Sequence, residues 1–238
     1  MFKLALSLFL FSPPLFAAFQ IPSNLSLNNA KKIVDDFGAG FVAKVPFYFK
    51  DEYEEPTLKT HVHASLSLVE TTEVASLGTG TSKDPIQAQL VHFGLELPFQ
   101  VDLGVQTSLI SVDNRIQQFG GFARWAPYLW NGFTVTTTLH GSSTDIKSQL
   151  AVNFYGGMIG LDYQWNSLNF FASTGYLRNT SSFQGSLFAT PTLSRVTVSR
   201  DYSHQVFRVS YSRQSWTLSG QSDWIDKFHS SVLIGYQF

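Results

Sequence analysis

From Phe41 onward, apolar and polar residues alternate with a period of two, the mark of strands whose two faces meet different surroundings. Phe41, Ala43, Val45, Phe47 and Phe49 form one run. Val62, Ala64, Leu66 and Leu68 form the next, with His61, His63, Ser65 and Ser67 on the other face. The alternation returns around residues 91–97, 101–109, 119–125, 133–139, 155–163, 168–176, 207–211, 216–224 and 232–238. Each run with its flanks reaches about ten residues, the length of a tilted strand that crosses a bilayer. Strands of soluble sandwiches are usually shorter. Short connections fall at Pro98-Phe99, at 128–131, at Asn166-Ser167 and at Gln214-Ser215. Longer polar ones fall at 111–114, 141–148 and 179–203. Short turns on one side and long loops on the other are the layout of an outer-membrane barrel, with the long loops outside the cell.

The first 40 residues have a different texture. Lys3, an apolar stretch from Leu4 to Phe11 and the small residues Ala17 and Ala18 read as a secretory signal peptide over residues 1–18. The pair Pro13-Pro14 argues against a buried helix there. Residues 19–39 are expected to form a periplasmic N-terminal segment or a plug helix, with a helix at 26–37 capped by Ser26 and stopped at Gly38. Residues 40–238 are expected to form the barrel. An even strand number is required of such barrels. Counting from Thr60 gives ten; admitting the clean run at 40–50 requires a partner strand within 70–80 and gives twelve. Twelve is the favoured expectation and ten the alternative.

Composition supports a membrane barrel. Charged residues are only 14% of the chain, aromatics reach 15%, and there are 22 Phe. Yet beyond the leader no apolar run is long enough for a spanning helix. The net charge of -1 provides no basic field for nucleic acid. With 0 Cys the chain has no disulfide, thiolate nucleophile or cysteine-ligated metal. Trp125, Trp130, Trp165 and Trp216 fall at the short-turn side and Trp224 at the loop side, where the aromatic girdles of a barrel belong.

The chain ends His229-Ser-Ser-Val-Leu-Ile-Gly-Tyr-Gln-Phe238, with Val232, Ile234, Tyr236 and Phe238 at every second position. This ending resembles the C-terminal strand of Gram-negative outer-membrane proteins, which closes on an aromatic residue. The resemblance covers ten residues and points to a class rather than a family. It implies outer-membrane localisation and recognition of these four residues by the barrel-assembly machinery, with outer-membrane lipid as the surrounding partner.

If the apolar positions face lipid, the alternate ones face the lumen. Glu96, Asp102, Arg124 and Asp162 then point inward near the short-turn end, Arg208 near mid-depth and Asp223 nearer the loops. They read either as a charged constriction that selects solutes or as an ion-pair network that fills a narrow interior. His-x-Ser occurs at His63/Ser65, His140/Ser142 and His229/Ser231, a spacing that some outer-membrane acyl hydrolases use to activate serine. An orienting amide is then needed. Asn153 is the nearest candidate to His140, but strand parity puts it on the opposite face. His61 and His63 share a face without a third ligand nearby in sequence, so they read as lumenal filler rather than a metal pair. Gly156, Gly157 and Gly160 read as sites of bending or close packing. No cofactor motif is present in the sequence. The favoured function is a narrow porin-like channel for small hydrophilic solutes. A filled structural or surface-interaction barrel is the alternative, and an acyl hydrolase the third reading.

Overall fold

The computed structural model describes residues 21, 23–40, 58–69, 76–77, 86–108, 116–146, 149–188 and 195–238. The elements are α1 (Leu27–Gly40), β1 (Lys59–Val69), β2 (Ile86–Leu97), β3 (Val101–Ser108), β4 (Ile116–Trp125), a short β5 (Tyr128–Trp130), β6 (Phe133–Ile146), β7 (Leu150–Trp165), β8 (Leu168–Gln184), β9 (Arg195–Arg213), β10 (Trp216–Ile225) and β11 (Lys227–Gln237). All strand pairings are antiparallel between neighbours in sequence, save two: β1 pairs with β11, and β4 pairs with β6 past the small β5. Those two pairings close the sheet into a ring of ten long strands.

Ten strands, not the favoured twelve, is therefore the correction the structure makes. The reason is that β1 is already hydrogen-bonded to β2 on one side and β11 on the other, from His61↔Gln237 to Ser67↔Ser231. A closed ring has no edge that an extra pair could join. Of the run at 40–50, Gly40 ends α1 and the rest lies outside the described residues, as does most of 70–80.

At one end of the ring the turns are tight. Asn131, Asn166 and Gln214 have φ near +51 to +56° and Gly132 has +84°, the left-handed conformations that two-residue hairpins require. At the other end the strands run past the expected loops. Residues 141–148 were expected to form a loop, yet β6 continues to Ile146 and β7 restarts at Leu150. Residues 179–203 were expected to form the longest loop, yet β8 and β9 stay paired from Asn179↔Arg200 to Gln184↔Arg195. On one side this hairpin stays paired with β7 up to Leu150↔Phe183; on the other it runs past β10, whose ladder with β9 ends at Trp224↔Gln205.

The burial pattern divides the ring by depth. Through most of its height the outward side chains are apolar and exposed, including Phe93, Phe119, Leu139, Ile159 and Phe207, whereas the inward ones are polar and buried. No helix among the described residues is long and apolar enough to cross a membrane; the strands do it. At the long-loop end the interior turns apolar. Ile146, Leu150, Val152, Phe154, Leu177, Phe183, Val198 and Ile225 point inward, and Ala30, Ile33 and Val34 of α1 pack on them without any exposure.

α1 thus lies across the long-loop mouth. It starts where Ser26 Oγ accepts the Asn29 backbone N–H at 3.2 Å, the expected cap. It runs on to Gly40 rather than stopping at Gly38. Ahead of it, the Leu25 N–H donates to the Leu187 carbonyl at 2.6 Å, and Asp35 forms an ion pair with Arg200 of β9 at 2.9 Å.

Candidate functional site: the barrel interior

Inward positions of the ten strands converge on one buried polar column. Near the short-turn end, Asp102 of β3 accepts from Arg124 Nη2 at 2.9 Å and meets His61 Nε2 at 3.2 Å. The pairing is fixed by register, since Asp102 lies opposite Arg124 across the β3–β4 ladder. Glu96 stands opposite both Lys59 and Asp102 and is only partly buried, at the rim of this cluster. One layer further in, Ser65 Oγ and His92 Nε2 are 2.8 Å apart across β1–β2. His61 and His63 stack edge to face with ring centroids 5.1 Å apart.

At mid-depth, Asp162, Phe171 and Arg208 lie side by side on β7, β8 and β9. The Arg208 guanidinium sits 4.6 Å over the Phe171 ring, a cation–π contact that suits a charge with little water around it. Nearer the loops, Asp223 takes His204 Nε2 at 3.0 Å and two contacts from the Gln221 amide at 3.1 and 3.2 Å. His140 approaches His204 with ring centroids 5.5 Å apart. Ser210 accepts from Ser219 at 2.8 Å.

Four of the five charged lumen candidates, Asp102, Arg124, Asp162 and Arg208, are buried in this column, and Glu96 stands at its edge. Asp102 and Arg124 form an ion pair, and Arg208 lies over the Phe171 ring beside Asp162. The void bordered by Arg124, Met158, Phe171, His204, Arg208 and Asp223 is only about 10 Å³, room for roughly one water.

Sequence reasoning missed the histidines as a set. The chain has six, and His61, His63, His92, His140, His204 and His229 are all buried on the inward face. Strand parity was the signal that could have found them, because each sits at the polar phase of an alternating run. Glycine makes space for two of them. A Cβ on Gly94 would collide with the His61 ring, and one on Gly235 with the His63 ring. Gly160, expected to allow close packing, likewise gives way to the Phe171 ring.

The catalytic alternatives find little support in this geometry. Ser65 meets His92 on the neighbouring strand rather than His63 two residues away. Asn153 sits at an outward phase of β7, opposite in facing to the buried His140 and Ser142. Among the described residues no group of three histidine or acidic side chains has the arrangement to hold a metal ion.

On the outside, the terminal residues Val232, Ile234, Tyr236 and Phe238 form the outward stripe of β11. Tyr236 packs on Trp216 at 4.6 Å and on Phe238 at 4.8 Å between ring centroids. Trp125, Trp130 and Trp165 are exposed at the short-turn end, and Trp224 at the loop end.

A closed antiparallel barrel, apolar outside and polar within, is the arrangement that satisfies every backbone group in a bilayer without spanning helices. The protein is an outer-membrane β-barrel. No family model matches the chain, and no curated protein matches it. Solved structures to which it is similar include Ail, the attachment invasion locus protein of Yersinia pestis, at 11% identity and a TM-score of 0.34, covering 78% of this chain and 100% of that one. The outer membrane protease OmpT of Escherichia coli shares 10% identity at a TM-score of 0.40, over 77% and 94%. The KdgM porin, solved in complex with disordered oligogalacturonate, shares 8% identity at 0.37, over 76% and 98%.

Proposed function

We propose that the protein is a filled barrel: a membrane-anchored platform whose lumen is packed shut and whose β8–β9 hairpin and α1 cap form the presented face. The observation that carries this reading is the interior itself. Ten strands leave a bore narrow enough for side chains to fill, and at mid-depth the void beside Arg208 is about 10 Å³. The apolar seat of α1 adds a second closure above the polar column. The favoured sequence reading, a channel for small hydrophilic solutes, needs both a withdrawn helix and an opened polar column. The filled alternative needs neither. In this reading the long-loop end faces outside, as loop-length asymmetry in such barrels argues. The surrounding partner is outer-membrane lipid, and the Val232, Ile234, Tyr236 and Phe238 stripe is what the assembly machinery reads.

Liposome swelling tests this directly. Proteoliposomes carrying the folded barrel should not swell in isotonic arabinose or glycine faster than protein-free liposomes. Swelling that scales with protein and falls with solute size would favour the channel instead.

A further inference from the structure

The lipid-facing surface is not uniform. Across β6–β11 the outward side chains leave an open, shallow groove of about 660 Å³. Ile159, Leu161, Ala172, Phe207, Trp224 and Phe228 line it. The register explains the hollow. The row Leu161↔Ala172↔Phe207↔Ser222 places small side chains on either side of one ring.

The row above it carries polar groups where a barrel exterior should be apolar. Thr174 and Gln205 are opposite each other, both outward and exposed, and Gln205 is flanked by Trp224 of the loop-side girdle. A glutamine amide facing hydrocarbon costs free energy unless it finds a partner. Two and four residues beyond Thr174 on the same outward stripe stand Tyr176 and Arg178. Arg178 is 3.7 Å from Asp201, a long contact with both side chains about half exposed. From Thr174 to Arg178 is about 13 Å along the strand and about 10 Å along the membrane normal at a tilt near 40°. Hydrocarbon groove, amide and hydroxyl, then guanidinium is the order of acyl chain, carbonyl linkage and phosphate in a membrane lipid.

We propose that this groove seats one acylated, phosphate-bearing lipid of the outer leaflet, a lipid A anchor. One acyl chain lies between Ile159 and Trp224, its carbonyl accepts from Gln205 and Thr174, and a phosphate meets Arg178. The seat lies on the outer face and is independent of whether the lumen is open.

Purified full-length protein in mild detergent, incubated with lipid A, phosphatidylglycerol or phosphatidylcholine, is read by native mass spectrometry. One lipid A per chain should be retained in preference to the other two. Gln205→Leu and Arg178→Ala should each weaken retention about tenfold, the scale of one charge-assisted or buried polar contact. Ala172→Trp, which fills the groove, should abolish it. Folding of each variant is checked by heat-shifted gel mobility; if Ala172→Trp does not fold, Gln205→Leu carries the test. Equal retention of all three lipids would reduce the groove to ordinary bilayer contact and overturn the proposal. So would a preference for phosphatidylglycerol, which would put the groove in the other leaflet. Dimer cross-linking through Ala172→Cys would give the groove to a second copy and overturn it as well.

Discussion

The cap formed by α1 has a measurable strength. Ile33 is fully buried against inward-facing side chains of the long-loop end, beside Val34 and Ala30. Truncating a buried isoleucine to alanine costs about 2–5 kcal/mol, from lost transfer energy and the cavity left behind. The remaining ties are weaker. The Asp35–Arg200 ion pair is partly exposed and contributes about 1 kcal/mol or less, and the Leu25–Leu187 backbone bond contributes on the order of 1 kcal/mol. Ile33→Ala should therefore raise the open population of the cap about 30-fold even at the lower end of the range, since each 1.4 kcal/mol is tenfold. With 0 native cysteines, Ala30→Cys reports that opening cleanly. A membrane-impermeant maleimide should label it slowly in the parent and about 30-fold faster or more with Ile33→Ala, provided opening is in fast equilibrium with closing. Equal rates in the two backgrounds, or immediate labelling in the parent, would refute the account of how the mouth is closed.

Three further outcomes follow from the same packing. Arg124→Ala removes the shorter of the contacts at buried Asp102 and should lower stability by about 3–5 kcal/mol, read as a lower urea midpoint; adding Asp102→Ala should recover part of the loss. Gly235→Val drives a side chain into the His63 ring, whereas a Cβ on Gly220 meets nothing within 4 Å, so the yield of heat-modifiable barrel should fall for the first and hold for Gly220→Val. Deleting Phe238, whose exposed side chain packs on Tyr236 and whose N–H donates to the Thr60 carbonyl, should leave the interior unchanged yet slow assembly, with unfolded chain accumulating in the periplasm; normal surface levels would contradict the assembly role.

The membrane-spanning body was readable because lipid imposes a strict apolar phase. Runs such as Phe207, Val209 and Tyr211 mark their strand without outside help, and so do the two-residue turns at Asn166 and Gln214. Beyond the bilayer the rule reverses. In the outer part of β8, Arg178 faces outward at the headgroup level and Thr180 and Ser182 face outward beyond it, while Leu177 and Phe183 face the α1 cap, so a search for outward apolar residues mistakes strand for loop. Strand number was hidden for a different reason. It depends on the β1–β11 pairing between residues more than 160 positions apart, which no local period encodes. For the interior, parity placed Asp102, Arg124, Asp162 and Arg208 on one face, but whether they border a hole or close it follows from the strand count and from Phe171 and Met158 packing among them. The seat of α1 likewise rests on contacts with distant strands, although its cap at Ser26 was visible.

Single-channel recording in a planar bilayer tests the filled interior most directly. With folded barrel verified by its heat-shifted mobility, the account predicts a silent membrane at neutral pH across ±100 mV. Discrete, protein-dependent openings whose ion selectivity changes with Arg124→Ala would contradict it.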